Sequence, residues 1–77
     1  MNVSLSDVLI HIDESLATDE RNQLEDHLRS VDGVISVHNP DDRPHLTIIQ
    51  YRPDKIDAAT LLRRVKDQGC HAKLVGL

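Results

Sequence analysis

Seventy-seven residues make one domain, near the smallest size that folds on a single core without staples. Tyr51 is the only aromatic residue, so that core must be aliphatic, and a net charge of −4 with histidines neutral is unsuited to gripping phosphates. The single cysteine, Cys70, excludes an internal disulfide and fits a reducing compartment. No basic region followed by an apolar run suggests a signal peptide, and the apolar runs are far too short for a membrane span. A soluble, cytoplasmic domain is expected.

Val8, Ile10 and Ile12 share one face by the two-residue period, which predicts a first strand from about Val3 to Ile12. Thr18 can cap a helix, with Asp19 and Glu20 in a first turn whose dipole favours acids. Leu24, Leu28 and Val31 follow at helical spacing, with Ala17 extending the stripe, so the helix spans about Asp19 to Val31. Gly33 is a natural stop in the left-handed conformation. Val34 to His38 is a second strand, and Pro40 and Pro44 bracket a turn at Asp41-Asp42-Arg43 that cannot continue a sheet. Leu46 to Tyr51 is the third strand. Asp57 then caps a second helix, with Ile56 and Leu61 as a hydrophobic staple and Ala58, Leu61, Leu62 and Val65 as its buried stripe. Gly69 closes it, and a last strand runs from about His71 to Val75.

The order strand, helix, strand, strand, helix, strand makes two right-handed crossover units. These predict an α+β, ferredoxin-like βαββαβ sandwich, with a four-stranded antiparallel sheet and both helices on one face. The whole chain is then one domain.

Three segments resemble the heavy-metal-associated domains of copper chaperones and metal-pumping ATPases. Val31-Asp32-Gly33-Val34-Ile35-Ser36-Val37 resembles that family's passage from helix to strand. Ile49-Gln50-Tyr51-Arg52-Pro53-Asp54-Lys55-Ile56 resembles its third strand and exit. Val65-Lys66-Asp67-Gln68-Gly69-Cys70-His71-Ala72 resembles the end of its second helix, where an aromatic commonly follows the glycine. These are packing and turn motifs, so they point to the fold more than to metal. The family's Cys-x-x-Cys loop has no counterpart: the stretch from Asp13 to Thr18 offers Asp13, Glu14, Ser15 and Thr18, which are hard oxygen donors or caps. Soft thiolates suit Cu(I), so ordinary copper transfer is not expected from this loop.

The alternation predicts which side chains meet. If Val37 pairs with Thr47 and Ile35 with Ile49 facing the helices, then His38 lies opposite Leu46 and Ser36 opposite Ile48 on the outer face. Leu9, His11 and Asp13 point outward from the first strand, and His71, Lys73 and Val75 from the fourth. Because the fourth strand runs antiparallel beside the first, His11, Asp13, Cys70 and His71 gather at one end of the sheet. Two imidazoles with a thiolate or carboxylate form a zinc-type donor set, so these four are the candidate ligands for zinc or another divalent metal. The competing reading is two polar residues on a solvated face, with Cys70 a small filler. Only His71, nearby in sequence, could activate Cys70 as a redox thiol, which leaves that role weaker still. His38 and His45 fall on opposite faces in the same register, which argues against a shared ion, and His27 is a boundary residue of the first helix.

The outer face also carries Leu9, Leu46, Ile48 and Val75 among His11, His38 and Gln50. Four apolar residues on an uncovered sheet mark a contact surface, so Leu9, His38, Leu46, Ile48 and Val75 are candidate interface residues for a protein partner or a homodimer. Modest exposure in a monomer is the alternative. Arg63, Arg64 and Lys66, with Arg52 and Lys55, form a basic cluster best read as a solvated helix face. Without aromatics for base stacking, nucleic acid is not an expected partner, and no membrane contact is expected. No glycine-rich phosphate loop or Ser-His-Asp set is present, so an enzyme is not expected. The leading expectation is a small binding protein with a degenerate metal loop, acting by protein contact or through a divalent metal held by the replacement set. The alternative is a metal-independent interaction or regulatory module that self-associates through the open sheet face.

Overall fold

Strand β1 (Ser6–Ile12) forms from the alternation of Val8, Ile10 and Ile12, all three buried on one face. The structure, a computed structural model, describes residues 4–75. Val3, the expected start of this strand, lies outside them.

Helix α1 (Thr18–Arg29) begins one residue earlier than the capping pattern suggests. Thr18 is its first helical residue rather than its cap, and the N-cap is Ala17, which has no polar side chain. Glu20 compensates: its carboxylate accepts the Ala17 N–H at 2.9 Å, the returning limb of a capping box. Ala17 is accordingly exposed and not part of the buried stripe, and Leu16 packs against the core instead. Leu24 and Leu28 are the residues the helix buries. The helix stops at Arg29 rather than Val31: the Ser30 N–H is shared between the carbonyls of Asp26 and His27 at 3.2 Å each, and the Val31 N–H bonds only three residues back, to Leu28, at 3.1 Å. Gly33 then takes φ +98° in a confined position, where an added Cβ would lie 2.9 Å from Lys55 Cβ and 3.0 Å from Ile56 Cγ2.

β2 (Val34–His38) and β3 (Leu46–Tyr51) pair antiparallel, but not in the expected register. Val37 faces Ile49 instead of Thr47, His38 faces Ile48 instead of Leu46, and Ser36 faces Gln50 instead of Ile48. Both ends of β2 contribute to the difference. Beyond His38, the Asn39 side chain donates to the carbonyls of Arg43, Pro44 and Leu46, which serves β3 where Pro40 has no N–H to offer. Between Val34 and Ser36 a bulge absorbs an extra residue. Val34 and Val37 therefore pack inward, while Ile35, expected to face the helices, is 53% exposed.

Helix α2 (Ala58–Asp67) follows the expected pattern closely. Asp57 caps it, its carboxylate accepting the Thr60 N–H at 2.7 Å. Ile56 packs against the core at the helix entry, and Leu61 and Val65 are fully buried. Gly69, at φ +89°, turns the chain toward β4 (Ala72–Val75), which starts just after His71. The sheet order is β2-β3-β1-β4, all neighbours antiparallel. Buried residues of both helices join Val8, Ile10, Val37, Ile49 and Tyr51 in one core, which leaves the opposite face of the sheet uncovered among the described residues. This is the ferredoxin-like sandwich.

Candidate functional site

Two regions carry the side chains that could act: the end of the sheet where β1 meets β4, and the open sheet face. At the sheet end, the backbone pairing Ile12 with Ala72 continues one step further, as the Asp13 N–H donates to the His71 carbonyl at 2.8 Å. Glu14 closes the same junction. Its carboxylate accepts the His71 backbone N–H at 2.9 and 3.1 Å, and the His71 ring nitrogen Nδ1 lies 2.6 Å from Oε2. The hydrogen bond to His71 holds the Glu14 carboxyl below its ordinary range, and the same bond raises the His71 imidazole. The first loop and the α2–β4 turn are thus fastened through one carboxylate.

A second pair lies beside it. His11 Nε2 is 3.3 Å from the Asp13 carboxylate, and the His11 ring stacks on His45, with centroids 5.7 Å apart and planes inclined by 26°. His45 sits just before β3, where the strand alternation no longer constrains its side chain. Its Nδ1 lies 2.8 Å from the Ile12 carbonyl. A carbonyl can only accept, so Nδ1 carries a proton in this bond.

Cys70 lies at the foot of this end of the sheet. With Asp13, Lys66, His71, Ala72 and Lys73 it lines a concavity of about 410 Å³. Burial pushes its thiol up, and the charges of Glu14 and Glu20 add to the effect, so the sulfur is held as a thiol rather than a thiolate. Of the four candidate ligands, Asp13, Cys70 and His71 share this concavity, while His11 bonds to Asp13 on the outer face. Among the described residues, no three His, Cys, Asp or Glu side chains come together in a group that could hold a metal ion. Sequence reasoning missed Glu14 as the partner of His71 and His45 as the partner of His11. The pairing of His11 with Leu46 brings His45 level with Ile12, whereas the expected register compared His45 only with His38 and placed the two on opposite faces.

The open face is built from ladder partners. Val75 pairs with Leu9, Leu9 with Ile48, and Ile48 with His38, so these four make one row across all four strands. Leu46 lies beside the row, paired with His11, and the bulge adds the exposed Ile35 near the β2 edge. All five expected interface residues therefore lie on this face. Ile35 is an addition that only the bulge reveals.

The fold is like that of heavy-metal-associated domains. A copper-binding domain of a P-type ATPase superposes with a TM-score of 0.81 at 14% identity, covering 91% of this chain and 93% of that one. Oxidized MerP from Ralstonia metallidurans gives 0.80 at 13%, covering 92% and 97%. The yeast copper transporter domain Ccc2a gives 0.79 at 14%, covering 91% and 94%. No protein-family profile and no curated protein matches the sequence. At these identities the likeness is one of fold. No helix among the described residues is long and apolar enough to cross a membrane.

Proposed function

We propose that the chain is a non-catalytic binding domain of the heavy-metal-associated type that works by protein contact through its open sheet face. The observation that carries this is the row Val75, Leu9, Ile48 and His38, with apolar side chains on three adjacent strands of a sheet whose other face holds the core. The chemistry of the first loop supports it. The stretch from Asp13 to Thr18 supplies only hard oxygen donors, and the single thiol of the chain, Cys70, is held protonated. A soft monovalent cargo such as Cu(I) does not fit that set. The test is capture of partners from an extract of the producing cells, using the tagged chain and its Leu9→Lys variant. Bound proteins are expected to be lost with the variant, and an unchanged set would sink the reading.

A second reading has its own support in the shared concavity of Asp13, Cys70 and His71 and in the metals named for the similar domains. Here a divalent ion such as zinc would be held by a replacement set drawn from His11, Asp13, Cys70 and His71, with the Glu14–His71 bond opening to free the imidazole. Titrating the protein with zinc while following histidine and Cys70 NMR signals decides it. If no histidine resonance moves at one equivalent, no such site exists.

A further inference from the structure

The protein-contact reading does not say what covers the sheet. The register narrows the choice, and the inference that follows rests on that reading. On β1, Asp7 lies to one side of Leu9 and His11 to the other, so the apolar row separates an acid from an imidazole. Lys73 pairs with His11 on the basic side, and Gln50 pairs with Asp7 on the acidic side. Asp13, one step further out, is already engaged by His11. The face is thus apolar along its middle and opposite in character along its two flanks. That is the pattern of a surface complementary to its own inverted copy.

We infer that a second copy of this chain covers the face, turned over about a two-fold axis that runs along the row. Such an axis seats Leu9 against Leu9 and Ile48 against Ile48 of the second copy. It also sets each Asp7 against His11 of the second copy, with Lys73 alongside. The strands then run antiparallel and nearly aligned, as in packed sheets about 10 Å apart. The other face-to-face two-fold, parallel to the strands, would lay His11 on Leu46, His38 on Val75 and Asp7 on Gln50. It would leave Asp7 and His11 without a charged counterpart, whereas the first arrangement gives them one another, so charge complementarity selects the first.

Sedimentation between about 1 µM and about 1 mM, a range that spans weak to moderate association, tests it. The unmodified chain is expected to dimerise. Asp7→Lys alone places like charges beside His11 and Lys73 of the second copy, and His11→Glu alone sets Glu against Asp7. Each is expected to weaken dimerisation about tenfold or more. The double variant Asp7→Lys/His11→Glu restores an opposite pair and with it the dimer. Residues four apart on one strand are separated by about 13 Å, so rescue of this kind has to act between copies. A monomer throughout the range, or a double variant as weak as the singles, overturns the inference. If the chain stays monomeric while Leu9→Lys still releases a captured protein, the second copy is wrong and the protein-contact reading stands. If Leu9→Lys changes neither association nor capture, both fall.

Discussion

Glu14 and His71 are 57 positions apart in the chain, yet one carboxylate receives both the backbone N–H and the ring nitrogen of the same histidine. The pair ties the β1–α1 loop to the start of β4. It also occupies two groups that would otherwise be available to a ligand at that end of the sheet.

The two shifts in this pair describe a single interaction, and its pH window follows from their signs. Glu14 is held below the ordinary carboxyl value of 4.5, so its contribution is present above that pH and is lost as pH falls through the depressed value. His71 is raised above the ordinary 6.5, so its contribution is complete below 6.5 and disappears as pH rises through the raised value. The fastening should therefore be strongest between pH 4.5 and 6.5. In Glu14→Gln, an NMR titration is expected to return the His71 midpoint toward its ordinary value. An unmoved midpoint would mean that the bond does not persist in solution.

The two glycines with positive φ should respond differently to alanine. At Gly33 the new Cβ meets Lys55 and Ile56 as well as the left-handed backbone, whereas at Gly69 nothing lies within 4 Å. Gly33→Ala is expected to cost roughly 2–4 kcal/mol by urea unfolding. Gly69→Ala should cost about 1 kcal/mol, from the backbone alone. Equal costs would show that the Gly33 turn relaxes away from Ile56.

Ile49 is fully buried between the neighbours Val8 on β1 and Val37 on β2. With no phenylalanine or tryptophan to fill space, a truncation here leaves a void that branched aliphatic side chains cannot close. Ile49→Ala should lose roughly 2–5 kcal/mol in chemical denaturation, a large part of the 5–15 kcal/mol typical of a whole domain. Ile35→Ala, on the exposed bulge, should change stability by less than about 0.5 kcal/mol.

Cys70 should behave as a slow nucleophile. Burial and the charges of Glu14 and Glu20 all raise its thiol, so alkylation by iodoacetamide at neutral pH should run below the rate for an unstructured cysteine peptide. Glu14→Gln should speed it by removing one of those charges. A wild-type rate equal to that of the peptide would show a thiolate population that this environment does not predict.

Much of the architecture was legible because it depends on local chemistry. The alternation at Val8, Ile10 and Ile12, the Asp57 cap, the Ile56–Leu61 staple and the stop at Gly69 each act within a few residues. Their order gave the ferredoxin-like sandwich and placed Leu9, Ile48 and Val75 on its open face. Thr18 and Ala17 are exchanged relative to the expected cap because Ala17 has no side-chain acceptor of its own, and the Glu20 carboxylate three residues on takes its N–H instead.

The chain by itself therefore determined which residues form elements and which faces those elements must bury. Only the tertiary structure decided how the elements slide against one another. The bulge that exposes Ile35, and the Asn39 bonds that let β2 end before Pro40, set the β2–β3 register from outside the alternation. The pairs Glu14–His71 and His11–His45 likewise depend on strands closing over long separations, which no local pattern encodes. Periodicity fixes the face a side chain occupies, and only packing fixes what it meets there.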